Sequence, residues 1–95
     1  MAPWWRCRWA DNIVCAKAAS GTRLAAAEML GTGTTCVADT YFFPEASAQA
    51  FSDAGIRAQV SLPVIQFPNA WARDEGDHIT RGLAFRDAFR NVPLI

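Results

Sequence analysis

Short apolar runs and helix-forming runs alternate along this chain, and that alternation restricts its fold more than any other feature. Thr22 to Leu30 consists of strong helix formers, with Leu24, Ala27 and Leu30 on one stripe. Ser20 predicts the N-cap, and Gly31 and Gly33 the stop. Thr34 to Ala38 is short, β-branched and apolar, which predicts a strand buried on both faces, with Asp39 at its carboxyl end. After the aromatic stretch Thr40 to Phe43, Pro44 and Glu45 open a second helix: proline suits the first helical position and an acid suits the amino-terminal dipole. Ala46, Ala50, Phe51 and Ala54 give that helix its apolar side, and Gly55 ends it. Ile56 to Val60 predicts a second strand, closed near Pro63.

Gln66 to Arg73 reads as a loop, and Asp74 to Arg90 as a third helix with acids first and arginines last, the order that complements its dipole. Ile79 and Leu83 share one face of it, and Phe85 and Phe89 form an i,i+4 pair. Pro93-Leu94-Ile95 predicts the start of another strand. Strand starts near 34, 56 and 93 recur about every 30 residues, the length a βαβ unit requires. The fold class is α/β with parallel strands, part of either a barrel or an open sheet. Two strands and a stub cannot satisfy both edges and both faces of a parallel sheet, so the pattern predicts a piece of something larger, prone to self-association through exposed strand edges.

Ninety-five residues limit the chain to one domain. Nine basic and nine acidic side chains give a net charge of zero, which offers no footprint for nucleic acid or an anionic membrane. No apolar run approaches the ~20 residues of a membrane span. Three cysteines, Cys7, Cys15 and Cys36, are an odd number without a C-x-x-C, which argues against a closed disulfide framework and a structural zinc site. The expected compartment is a reducing cytoplasm. Cys36, in an apolar run, is expected to be a buried small hydrophobe.

Residues 1–20 stand apart. Three of the four tryptophans fall in the first nine positions, interleaved with arginines and without sustained periodicity. This predicts an irregular or disordered terminus, or a GC-rich stretch read out of frame. An aromatic-basic arm is the functional reading.

Chemistry-bearing residues are few. His78, the sole histidine, lies among Asp74, Glu75 and Asp77, with glycine at position 82 where a helical metal site would place a second ligand. It is expected at the surface beside carboxylates. Glu45 is expected to be a helix-terminal acid and not a general base. Gly31-Thr32-Gly33 does not complete a dinucleotide-binding fingerprint and precedes a strand instead of following one. Asp39 ends a strand, where it either caps the loop or faces a site. Tyr41, Phe42, Phe43, Phe67 and Trp71 either line an apolar pocket or pack between elements. No catalytic constellation is complete.

The segments Gly21 to Leu30, Gly33 to Cys36, Asp39 to Glu45, Ala54 to Ala58, Pro63 to Pro68 and Trp71-Ala72, in that order, resemble the metal-dependent amidohydrolase superfamily. The similar branch holds the 5-methylthioadenosine/S-adenosylhomocysteine deaminases and the triazine (atrazine-type) hydrolases. The resemblance covers residues 21–95 and implies a partial (β/α)8 barrel, about strands two to four with the intervening helices. It implies a divalent metal, zinc or iron, in the full-length family, whose bound water attacks a ring carbon of a small heterocyclic substrate. The family's histidine ligands and acid/base residues match no position here, so the resemblance assigns this stretch no catalytic residue and no metal ligand, and implies that it is inactive alone. It places Asp39, Tyr41 and Phe42 at the barrel mouth as substrate-pocket candidates. Leu62 and Pro63 stand where some deaminases of the branch carry an arginine. The alternative reading is a small non-enzymatic α/β binding or interaction module.

Overall fold

The computed structural model describes residues 13–69 and 71–95, and of Ile13 the backbone only. The expectations for the tryptophan-rich first twelve positions and for Cys7 lie outside the described residues. The order is α1 (Ile13–Gly31), β1 (Cys36–Thr40), α2 (Pro44–Ala54), β2 (Arg57–Ser61) and α3 (Glu75–Phe89). β1 and β2 pair in parallel, with Cys36 opposite Arg57 and Thr40 opposite Ser61, and α2 is the crossover between them.

Helix α1 begins earlier than the Ser20 signal predicts. Ser20 lies inside it, exposed, and the helix runs through the boundary between residues 20 and 21. The seven residues before Ser20 are mostly apolar, and Cys15, Ala16 and Ala18 among them are buried. Burying that face outweighs a single capping side chain. The end is as expected: the Thr32 amide donates to Glu28 and Met29 carbonyls, and Gly33 adopts a left-handed φ of 94°.

Helix α2 holds the unit together. Phe43, Ala46 and Phe42 pack with Cys15, Ala18, Trp71 and Ala72 at one end. Phe51 packs with Ala26, Ile56 and Ala58 along the sheet. Ala48 meets Phe85 and Phe89 of α3. Small residues let neighbours approach from several sides, and Ala48, Ala50 and Ser47 are almost wholly buried. The expected Phe85–Phe89 pair is stacked, with centroids 4.8 Å apart.

Among the described residues, the sheet is covered on one face only. Val37, Asp39, Ala58 and Val60 alternate toward α2, while Cys36, Ala38, Thr40, Arg57 and Gln59 face outward and are exposed. This corrects two expectations. β1 is not buried on both faces, and Cys36 is an exposed free thiol because, among the described residues, no layer covers its side of the sheet. Cys15, by contrast, is buried.

The carboxyl-terminal residues do not form the expected strand start. They fold as a turn, with Leu94 at a left-handed φ of 74°, yet the Ala58 amide donates to the Leu94 carbonyl at 2.8 Å. The last residues therefore lie along β2, and Ile95 joins the core beside Val60.

The α3 boundaries match expectation, with Asp74 as N-cap accepting from the Asp77 amide at 2.8 Å. Its buried stripe does not. His78, Gly82, Phe85 and Phe89 face inward at spacings of four, three and four, and Ile79 and Leu83 are exposed. Among the described residues, no helix is long and apolar enough to cross a membrane.

Phe51→Ala should therefore cost about 3–5 kcal/mol in chemical denaturation, since its side chain is 2% exposed between helix and sheet. Ile79→Ala, at a side chain 51% exposed, should stay within about 0.5 kcal/mol.

Candidate functional site at the strand ends

Parallel strands place their carboxyl ends side by side, and two loops leave from there: residues 41–43 after β1 and 62–74 after β2. In α/β sheets this edge is where ligands bind. The first loop is short and strained. Phe43 is the N-cap of α2 in the left-handed region (φ 57°, ψ 56°), with no side-chain capping bond. For a bulky residue that conformation costs roughly 1–2 kcal/mol, offset here by burial of the ring.

The candidates separate along this edge. Asp39 is half-buried on the α2-covered face, in register with Val60. Tyr41 is 56% exposed. Phe42 is half-buried against the Trp71 cluster, and its ring centroid lies 5.9 Å from that of Tyr41. Tyr41 also borders a shallow cleft of about 320 Å³ with Val14, Lys17, Ala18, Gly21 and Thr22 of α1. Phe67 points to solvent, whereas Trp71 is buried.

Behind the loops lies a polar cluster that hydrophobic pattern does not reveal. Glu45, 7% exposed at the first turn of α2, accepts the Trp71 indole N–H at both oxygens, at 2.9 and 3.2 Å. The Trp71 ring packs against the His78 ring at 5.2 Å. Asn69 ties the loop together: its Oδ1 accepts from the Trp71 and Ala72 amides at 2.9 and 3.0 Å. Those two bonds fix the orientation of the amide, so its Nδ2 donates to Phe67 O and to His78 Nε2, the latter at 2.9 Å. His78 Nε2 is thereby the acceptor and Nδ1 carries the proton. Nδ1 is buried without a partner among the described residues.

His78 is thus not the expected surface histidine. It is fully buried, because Asp74 starts the helix four residues earlier and turns position 78 toward the loop. Glu45 does sit at the helix start as expected, but inside the protein. A helix-terminal acid is ordinarily solvated, and nothing in the local pattern marks this one as buried. The signal that could have found it is non-local: an acid and a tryptophan 26 residues apart, each adjoining a strand end.

Burial holds the Glu45 carboxyl above its ordinary value of 4.5, opposed by its own backbone amide, the Trp71 indole and the charge of Arg81. The folded state then binds more protons than the unfolded state between 4.5 and the raised value, so stability falls as pH rises through that window. Asp77 has the opposite sign. The Arg73 amide, opposed by desolvation and assisted by Arg81 and Arg73, holds it below 3.8, and its contribution is lost as pH falls beneath that value. The windows do not overlap. Lowering pH from neutrality toward 4.5 should therefore raise the urea midpoint, and Glu45→Gln, which keeps an acceptor for Trp71, should abolish that rise. An unchanged pH profile in the variant would assign it to other groups.

Among the described residues, no three His, Cys, Asp or Glu side chains converge to hold a metal ion. The described residues do not make up a metal centre by themselves.

The chain is similar to known proteins over most of its length. It is 51% identical over 75 residues to a 5-methylthioadenosine/S-adenosylhomocysteine deaminase from Saccharophagus degradans, an alignment covering 79% of this chain and 17% of that protein. It is 41% identical over 70 residues to a 5'-deoxyadenosine deaminase from Methanopyrus kandleri, covering 74% of this chain and 14% of the relative. The crystal structure of an adenosine deaminase from Xanthomonas campestris with bound zinc superposes with a TM-score of 0.81 at 42% identity, covering 85% of this chain and 18% of that one. The chain thus spans less than a fifth of the length of these relatives. No protein-family model matches it. The helix, strand and loop motifs noted in the sequence, the parallel βαβ unit and these identities agree: the chain belongs to the deaminase branch of the amidohydrolase superfamily and corresponds to part of its members' length.

Proposed function

We propose that this chain supplies about strands two to four of a (β/α)8 barrel in a hydrolytic deaminase acting on adenosine-type nucleosides. The observation that carries the reading is the superposition of this βαβ unit on an adenosine deaminase at a TM-score of 0.81 and 42% identity. The open sheet face supports it: in a barrel, residues such as Ala38 and Gln59 would be covered by the remaining strands. Dechlorination of a triazine-type heterocycle is the other chemistry the resemblance allows, and the deaminase names of the relatives favour deamination.

Tyr41 and Phe42 would border the substrate at the mouth, with Asp39 one position before the strand end. Of the three, Tyr41 supports the proposal furthest, since it is exposed beside the strand ends. Asp39 faces α2 and would reach a substrate only past the end of β1.

The metal that gives the family its nucleophile would be held by residues other than those described here. When bound, it supplies a hydroxide near neutral pH. We therefore propose that the 95-residue chain does not deaminate by itself, and that its uncovered sheet edge drives self-association.

The test is ammonia release from 5-methylthioadenosine and S-adenosylhomocysteine by the purified chain, with and without added zinc or ferrous iron. No release under either condition, together with concentration-dependent association in sedimentation, is expected. Zinc-dependent deamination that a chelator abolishes would refute the inactivity. A monomeric chain with a cooperative melt and no deamination would favour the small interaction module.

A further inference from the structure

Two side-chain links cross the strand-end edge, and both involve the loop after β2. Trp71 on that loop donates to Glu45, two residues past Phe43. Asn69 on the same loop donates to His78 of α3. The first link joins the loop after β2 to the first turn of α2, the turn into which the loop after β1 leads. Trp71 packs in one cluster with Phe43, with Phe42 against it, and the Phe42 ring in turn contacts Tyr41. A path therefore runs from Glu45 through Trp71 and its apolar cluster to Phe42 and Tyr41.

A carboxylate is a costly way to satisfy one indole N–H in a buried place. The electrostatic support for Glu45 comes from Arg81 and from its position in the first turn of α2. What the carboxylate gains over a neutral acceptor is strength: both its oxygens lie within hydrogen-bond distance of the same donor. The loop it restrains needs that strength. The described residues between 62 and 74 form no helix or strand ahead of α3, and Leu62, Val64 and Phe67 among them are exposed.

We infer that Glu45 is a positioning residue: it clamps Trp71, fixes the loop after β2 against the loop after β1, and so holds Tyr41 and Phe42 in one arrangement at the strand ends. The inference deepens the proposed function, because it gives those aromatics a fixed geometry at the presumed substrate edge, but its test needs no catalysis. Absence of deaminase activity would leave it standing, and its failure would leave the family and the proposed chemistry untouched.

Tyr41 is the sole tyrosine, so 3-fluorotyrosine incorporation places a single fluorine reporter at the site. The Trp71 indole proton is identified by its loss in Trp71→Phe. Below the concentration at which it associates, the wild-type chain should give one narrow fluorine resonance and a slowly exchanging Trp71 indole proton, and Glu45→Gln, which keeps only a weaker neutral acceptor, should keep the resonance at the same shift with an exchange rate between those of wild type and Glu45→Met. Glu45→Met, which keeps the bulk and removes the acceptor, should exchange that proton at least ~10-fold faster and broaden or move the fluorine resonance, with helical circular dichroism retained. Trp71→Phe breaks the same link from the other side and should move the fluorine resonance likewise. Unchanged exchange in Glu45→Met overturns the inference. If Glu45→Met does not fold, an unshifted fluorine resonance in Trp71→Phe overturns it instead.

Discussion

Everything in this unit depends on one crossover helix being packed from several sides at once. α2 carries chain from β1 to β2, and its small residues admit α1, the sheet and α3 within contact distance. Parallel strands cannot pair through a tight turn, so the register of β1 against β2 is only as well defined as the seating of α2. Phe51 secures its middle and Phe43 its beginning, the second at the expense of a left-handed backbone. Gly55 ends it with a left-handed residue that costs glycine little, and the Gly55 and Ile56 amides both return to the Phe51 carbonyl. The helix is thus closed at its far end by its own backbone before β2 begins.

The elements with local signals were legible. Pro44-Glu45 marked the start of α2, Gly55 its end, and Asp74 with the acids after it the start of α3. The alternation of elements gave the parallel pairing, and the order of motifs gave the family. Signals that compete with packing misled. Ser20 reads as a cap until the buried face of Cys15, Ala16 and Ala18 is taken into account. Ile79 and Leu83 form a more apolar stripe than the one α3 buries, which includes a histidine and a glycine. Gly82 belongs there because Leu62 lies against it: a Cβ at that position would meet Leu62 Cδ1 at 3.1 Å. Such a stripe is recognisable only once the neighbour is known.

The candidate site was legible in part. Tyr41 and Phe42 follow from their place after a strand, which is a property of order along the chain. Glu45, Asn69 and His78 are different. Their roles come from contacts between loops and helices far apart in sequence, and each side chain has a common surface role that describes it adequately in isolation. Polar residues become informative when they are buried, and burial is a property of the assembled fold.

The bare side of the two-stranded sheet has a practical consequence. Cys36 stands on that side, the free thiol among the described residues, next to Arg57 in register across the pair. Its accessibility is set by whatever lies over the sheet. An alkylating reagent that modifies it would therefore measure coverage of that face directly, as a rate, without structure determination. The cysteine that seemed at first to belong to the interior is a built-in gauge of whether that face of the strands is covered.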